Sequence, residues 1–310
     1  MINLAEQPAP RSPDNESRGD IIAAFLRLAS FETVRLTGAD DDAARTLEAG
    51  TPVYVSAIPG HPPEQQVTVA AQLRACGAEP VPHLAVREFA GADAVERHLS
   101  GLTAQAGVRR LLIVGGDRRE PAGPFHAAIE LIESGMLQAF GIAEIGIAGY
   151  PDGHPRISSD ELDRALAAKL EAAVQTGLAV HIVTQFTFAA DPILYWLGRI
   201  RDLGIDFPVR VGLAGPATLS GLLRFAQVCG VKTSAQTLAR AGLVKTMLGL
   251  TAPDRVVRPL AEACAGDRLG EVTPHFYSFG GLAVAIRWAM AGAAGRIAFD
   301  HAGGFTVDAP

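Results

Sequence analysis

Short, nearly continuous apolar runs alternate along this chain with longer stretches whose apolar residues recur every three or four positions. The runs at 28–34, 53–58, 80–86, 110–115, 145–150, 180–185, 209–214 and 273–279 read as strands. Several carry almost no polar alternation, as parallel strands covered on both faces require. Between and after them the spacing predicts helices at 41–49, 64–76, 92–104, 124–134, 160–176, 191–203, 219–228 and 281–290. In the fifth of these, Leu162, Leu166, Leu170 and Val174 recur every four residues behind Ser158 and Glu161, a capping-box pair, which predicts one buried stripe.

Eight strand-then-helix units in one chain predict an α/β fold of the closed (βα)8 TIM-barrel type, occupying residues 20–310 as a single domain. Two further helical stretches, 234–243 and 254–265, lengthen the connection between strands seven and eight. Residues 1–19 are rich in Pro, Asn, Ser, Asp and Glu and are expected to form a flexible arm.

Composition narrows the function classes. The chain has 310 residues, is 48% hydrophobic and 19% charged, and so can bury a large core. A net charge of −6 argues against a broad nucleic-acid surface. The three cysteines, Cys76, Cys229 and Cys264, lie far apart with no CxxC pair, so neither a disulfide framework nor a metal site is expected. No apolar run reaches the roughly 18 residues that span a bilayer. The simplest setting is the cytoplasm, and a homo-oligomer is possible.

Candidate chemistry collects at the strand ends, where barrel active sites are built. Glu32, His83, Asp117, Tyr150 with His154, Gln185 and Tyr277 close successive strand runs. Alone, Glu32 could be a carboxylate satisfied in the barrel mouth, Asp117 a cap after Gly115-Gly116, and each histidine a structural hydrogen-bonder. A carboxyl at the end of an apolar strand is expected to have its pKa raised by desolvation. Gln185 closes a buried run and must find partners; Phe186 and Phe188 read as wall and core, and His181 as structural. The triple Asp40-Asp41-Asp42 reads as a helix start, and Arg118-Arg119 as a solvated loop. No dinucleotide fingerprint or P-loop follows any strand.

Ser30-Phe31-Glu32, Pro82-His83-Leu84, Gly116-Asp117, Gly149-Tyr150-Pro151-Asp152-Gly153-His154-Pro155, Thr184-Gln185-Phe186 and His275-Phe276-Tyr277 occur in this order along the chain. In that set the chain resembles the methylenetetrahydrofolate reductase family, whose members are (βα)8 barrels that usually carry FAD. The resemblance implies hydride transfer from NADH or NADPH through FAD to 5,10-methylenetetrahydrofolate, a folate substrate, giving 5-methyltetrahydrofolate. It implies that Glu32 is the acid that assists opening of the imidazolidine ring and that Asp117 stabilises the cationic iminium while lying near the flavin. It further implies that Gln185, Phe186 and Tyr277 meet the substrate. His83, Gly115, Gly116, Asp117, Gly149, Tyr150 and His154 are then the cofactor neighbours.

The chain also departs from that pattern. Gly115 stands where the family usually has a basic residue, Leu170-Glu171-Ala172-Ala173 where many relatives carry lysines, and Ile58 where many have threonine. Ser278-Phe279-Gly280-Gly281 replaces the usual Thr-Leu-Asn-Arg. Two alternatives follow: a flavin-independent reductase on the same barrel, or a barrel that binds folate or flavin without turnover. A related enzyme using another pterin carrier is a third.

Overall fold

The computed structural model describes residues 13–58, 60–231, 250–301 and 303–308, and in it the eight expected strands close into a parallel barrel. They are β1 (Ser30–Thr33), β2 (Pro52–Val55), β3 (Glu79–Ala85), β4 (Arg110–Val114), β5 (Glu144–Gly149), β6 (Ala179–Thr184), β7 (Val209–Ala214) and, closing onto β1, β10 (Val272–Tyr277). Between the last two lies a short antiparallel pair, β8 (Ala217–Thr218) with β9 (Leu250–Thr251). This is the (βα)8 fold the strand-then-helix alternation predicts.

The helices are α1 (Pro13–Arg27), α2 (Gly38–Ala44), α3 (Pro63–Ala75), α4 (Ala92–Ala106), α5 (Ala128–Glu133), α6 (Met136–Ala139), α7 (Ser159–Gln175), α8 (Ala190–Asp202), α9 (Leu219–Val228), α10 (Asp254–Cys264) and α11 (Leu282–Ala293). Side chains alternate along each strand with the period of two that pleating imposes. Phe31, Val53, Val55, Ile113, Ile147, Ile182, Val211 and Phe276 join the helix-packed core, whereas Tyr54, Val81, Leu112 and Val183 fill the barrel interior. Glu32, His181 and His275 are also buried. Aliphatic residues dominate most barrel interiors; the polar groups here must therefore pair, and they do so in two sets described below.

Several boundaries differ from expectation for local reasons. Residues 13–19 of the expected arm belong to α1, which packs on α10 and α11 and contributes Ile22, Phe25 and Leu26 to the core. A proline suits the first helical turn, where its missing N–H is not needed. The stripe on α7 is also narrower than the four-residue spacing suggests: Leu166 and Leu170 are buried but Val174 is 57% exposed. Each step of four advances about 40° beyond a full turn, so three steps carry the last residue off the buried face. Ser158 does cap α7, accepting from Glu161 N at 3.3 Å.

The α2 helix starts earlier than expected, because Asp40 accepts from the Thr37 backbone N–H at 3.0 Å and its other oxygen accepts from Ala283 N at 2.9 Å, clasping α2 to the start of α11. The helix expected at 124–134 is shortened to α5, where the Glu130 carboxylate accepts from His126 N at 2.6 Å. Of the two helices expected before strand eight, 254–265 is α10, and 234–243 lies outside the described residues. No helix among the described residues is long and apolar enough to cross a membrane.

Candidate functional site

At the C-terminal end of β1, Glu32 is 9% exposed, and its carboxylate lies among three polar groups from other segments. Ser56, just past β2, donates its hydroxyl to Oε1 at 2.5 Å. Oε2 lies 3.3 Å from Nε2 of His275 on β10 and 3.6 Å from Nε2 of His83 on β3. His83 Nε2 is a buried nitrogen with no hydrogen bond among the described residues. The strand register makes this meeting possible, since Glu32 stands beside Tyr277 of β10 and Tyr54 of β2.

Burial is the largest single influence on Glu32 and raises its pKa, but the charge of His83, the hydrogen bond and charge of His275 and the Ser56 hydroxyl together hold it below the usual carboxylate value. Burial holds both histidines below the ordinary imidazole value. The raised carboxyl pKa expected from desolvation alone is therefore corrected: in the open site Glu32 is an ionised acceptor, because the barrel surrounds it with donors. Desolvation decides the direction only where such donors are missing.

A second polar set crosses the barrel below the first. Tyr54 OH lies 2.6 Å from His181 Nε2, His181 Nδ1 lies 2.8 Å from Glu144 Oε1, and Glu144 Oε2 lies 2.8 Å from Arg110 Nε. The Tyr54 ring stands edge-on to His275 at 4.6 Å and to His83 at 6.1 Å, forming the floor beneath Glu32.

The remaining expected residues divide into three groups. Tyr150 and His154 come together at the rim with ring centroids 5.4 Å apart, and both line a shallow pocket with Gln185, Phe186 and Cys229. Tyr277 is tied to the wall by its hydroxyl, which donates to Thr184 O at 3.1 Å. Gln185 accepts from Phe186 N through Oε1 at 3.0 Å, and its amino group makes no hydrogen bond among the described residues. Phe186 is fully buried, packed against Tyr277 and Phe279, and forms part of the pocket's wall.

The structure separates Asp117 from Glu32's cluster of donors. Its side chain is 86% exposed at the rim, 3.9 Å from Arg156. Of the two glycines before it, Gly116 has φ +91° and a Cβ there would lie 3.2 Å from Ala85 Cβ, whereas a Cβ on Gly115 would meet nothing within 4 Å. At Gly149 a Cβ would come within 2.9 Å of Trp196 and 3.0 Å of Ile182, so this glycine serves the packing of α8 on the barrel.

Beside Tyr150, between the first half of α7 and the middle of α8, lies a cavity of about 300 Å³ lined by Asp160, Asp163, Leu166, Tyr195, Trp196 and Arg199 among others. Arg199 is held there by both oxygens of Asp163, with Nη2 2.7 Å from Oδ1. Sequence reasoning missed Ser56, Tyr54 and the pairing of Ser30 with His275. The polar residue two positions past Tyr54 was the available signal for Ser56, and the motifs already contained Ser30 and His275.

Comparison with known proteins follows the same direction. The family model described as Methylenetetrahydrofolate reductase matches residues 42–251, more than half of the chain. That span holds His83, Asp117, Tyr150, His154 and Gln185 and excludes Glu32 and Tyr277. Methylenetetrahydrofolate reductase (NADH) 1 of Arabidopsis thaliana is 28% identical over 155 residues, covering 45% of this chain and 26% of the relative. The 5,10-methylenetetrahydrofolate reductase of Pectobacterium carotovorum is 27% identical over 160 residues, covering 50% of each chain. The matches thus span half or less of these relatives' own length. Among solved structures, a Clostridium thermocellum protein described as binding two copies of 5-methyl-5,6,7,8-tetrahydrofolic acid shares the fold at TM-score 0.58 and 12% identity, covering 86% of this chain and 93% of that one. With the barrel, the strand-end residues and the matched span together, the chain belongs to the methylenetetrahydrofolate reductase family.

Proposed function

We propose that this barrel reduces 5,10-methylenetetrahydrofolate to 5-methyltetrahydrofolate with hydride from NADH or NADPH, by way of bound FAD. The observation that carries the reading is Glu32, a buried carboxylate at the barrel mouth ringed by Ser56, His275 and His83, in a chain of this family. Reduction of the methylene group consumes one hydride and one proton, and the proton goes to the nitrogen released when the imidazolidine ring opens. Glu32 holds and delivers that proton. A pterin over the mouth removes the remaining water, which raises the carboxyl's affinity for a proton in the bound state. Gln185 turns its amino group to the pterin edge, and Asp117 at the rim offers negative charge to the cationic iminium.

The residues fit the ring end of a flavin. Tyr150 and His154 supply flat faces, His83 Nε2 is a buried nitrogen awaiting a partner, and the adjoining cavity of about 300 Å³ has aromatic walls in Tyr195 and Trp196. When bound, FAD supplies hydride carriage between nicotinamide and the one-carbon unit. One observation favours a second reading, direct transfer from nicotinamide without flavin: the guanidinium in that cavity, Arg199, is already committed to Asp163. It leaves little positive charge there for a pyrophosphate.

The visible spectrum of the purified protein, with and without added FAD and then NADH under anaerobic conditions, separates the readings. Flavin absorption that NADH bleaches, followed by reoxidation on adding methylenetetrahydrofolate, supports the two-step reductase. A colourless protein that takes up no FAD but oxidises NADH with the folate supports direct transfer. A protein that binds folate and oxidises no nicotinamide in either condition overturns both.

A further inference from the structure

One buried amide ties together the two strand ends that reach Glu32. Gln66 on α3 is buried, and its Nε2 donates to the carbonyl oxygens of Val55, at 2.8 Å, and of His83, at 2.9 Å. The β2–β3 ladder ends at the pair of Val55 with Pro82, while β3 runs on to Ala85, so the His83 carbonyl lies past the last rung between these strands. The Gln66 amide supplies the next one. Its Oε1 lies 2.8 Å from Nε2 of His98 on α4. With both amide hydrogens given to carbonyls, Oε1 accepts, so His98 carries a hydrogen on Nε2. Burial pushes His98 down to about 4, which keeps the ring neutral near pH 7 and leaves Nδ1, a nitrogen with no hydrogen bond among the described residues, bare.

Val55 directly precedes Ser56, whose hydroxyl donates to Glu32 Oε1 at 2.5 Å, and His83 brings its Nε2 to 3.6 Å from Oε2. We propose that Gln66, its amide oriented by His98, is a positioning residue that holds Ser56 and His83 in place against Glu32, a role that rests on Glu32 being the acid of the reaction proposed above. The Gln66 hydrogen bonds go to two backbone carbonyls and to His98, so it acts on Glu32 through the strand ends. A side chain follows the backbone that carries it, and a misplacement of about 1 Å is enough to cost about 10²-fold in rate. Besides Ser56 and His83, the groups facing Glu32 are Tyr54 of β2, His275 and Tyr277 of β10, and Cys229 beyond α9, with Arg210 of β7 behind His275. None of these hydrogen-bonds Gln66 among the described residues, so a change at Gln66 reaches Glu32 by way of Ser56 and His83.

The test uses the full chain and begins on the unmodified protein. In 15N-labelled protein the Gln66 amide hydrogens, identified by their disappearance in Gln66→Met, should exchange with solvent slowly, and long-range 15N–1H spectra should show His98 as the Nε2–H tautomer. Exchange as fast as that of an exposed glutamine, or an Nδ1–H tautomer, overturns the proposal. Gln66→Met keeps the length of the side chain and removes its donors. With NADH and methylenetetrahydrofolate, and FAD if the protein takes it up, kcat and kcat/KM should fall together by about tenfold or more. The Glu32 midpoint, followed by 13C at the carboxyl carbon, should rise as Ser56 and His83 move away from it. His98→Phe keeps the ring that packs on Phe89 but leaves Gln66 Oε1 without a donor, and should move both readouts less far in the same directions; His98→Gln restores a donor and should restore both. If Gln66→Met does not fold, the His98 pair decides. A folded variant of Gln66, or failing that His98→Phe, with an unchanged Glu32 midpoint and unchanged kcat assigns the amide to stability alone and overturns the proposal. A shifted midpoint in a protein that reduces no folate would instead sink the proposed function and leave the clamp on Ser56 and His83 standing.

Discussion

Tyr54 of β2 and His181 of β6 meet across the barrel axis, hydroxyl oxygen to Nε2, at 2.6 Å. Both are buried, and their partner beyond, Glu144, is shared with Arg110 at the N-terminal end of the strands. Tyr54→Phe keeps the ring that floors the site but leaves His181 Nε2 buried without a partner. Chemical denaturation should show a loss of about 1–3 kcal/mol. An unchanged unfolding midpoint would mean that water replaces the hydroxyl.

On the proposed reaction, Glu32→Gln keeps an acceptor for Ser56 but removes the group that would transfer the proton. Folate reduction should fall by about 10²–10⁴-fold, while, if the protein takes up FAD, bleaching of that flavin by NADH, followed by stopped flow, stays largely intact. Equal loss of both half-reactions would assign Glu32 to holding the cofactor or the fold.

Gly115 and Gly116 should respond differently to alanine. Gly116→Ala meets both a positive φ and Ala85, and should cost about 1–2 kcal/mol in a urea titration. Gly115→Ala has open space and should stay within about 0.5 kcal/mol. If Gly115→Ala is stable yet loses FAD binding, the cofactor passes close to that backbone, which gives the smaller glycine a binding reason that the unliganded fold does not.

Asp254 at the start of α10 is pushed up to about 6 by burial, against the hydrogen bond it accepts from Phe305 N at 3.3 Å. A carboxyl with a raised folded-state pKa binds its proton more tightly in the native state, so its contribution is favourable below about pH 4 and is lost as pH rises through 6. Asp254→Asn retains the acceptor without the charge. Thermal melts should show it stabilised by about 1–2 kcal/mol at pH 7, after allowance for partial exposure, and unchanged at pH 4. Equal effects at both pH values would assign the change to packing.

Much of the fold was legible because strand and helix periods are local. Runs such as Leu111-Leu112-Ile113-Val114 in β4 carry their own evidence of burial on both faces, and eight such units have few ways to close. The order of strand-end residues was legible for the same reason. What misled was reasoning about one residue at a time. Burial alone argued for a raised Glu32 pKa, and a fixed spacing of four argued for a buried Val174.

The sequence by itself determined the eight-unit barrel, the rim residues and the family pattern, since these depend on hydrophobic period and short motifs. Only the tertiary structure decided which of those residues share a site. It joins Ser30 to His275 across 245 positions and His83 and Ser56 to Glu32, yet leaves Asp117 at the exposed rim and Phe186 inside the wall. The physical reason is closure: the register between β1 and β10 is fixed by the packing of the whole barrel, and it is that register which turns an apolar-strand glutamate into an ionised carboxylate with chosen donors.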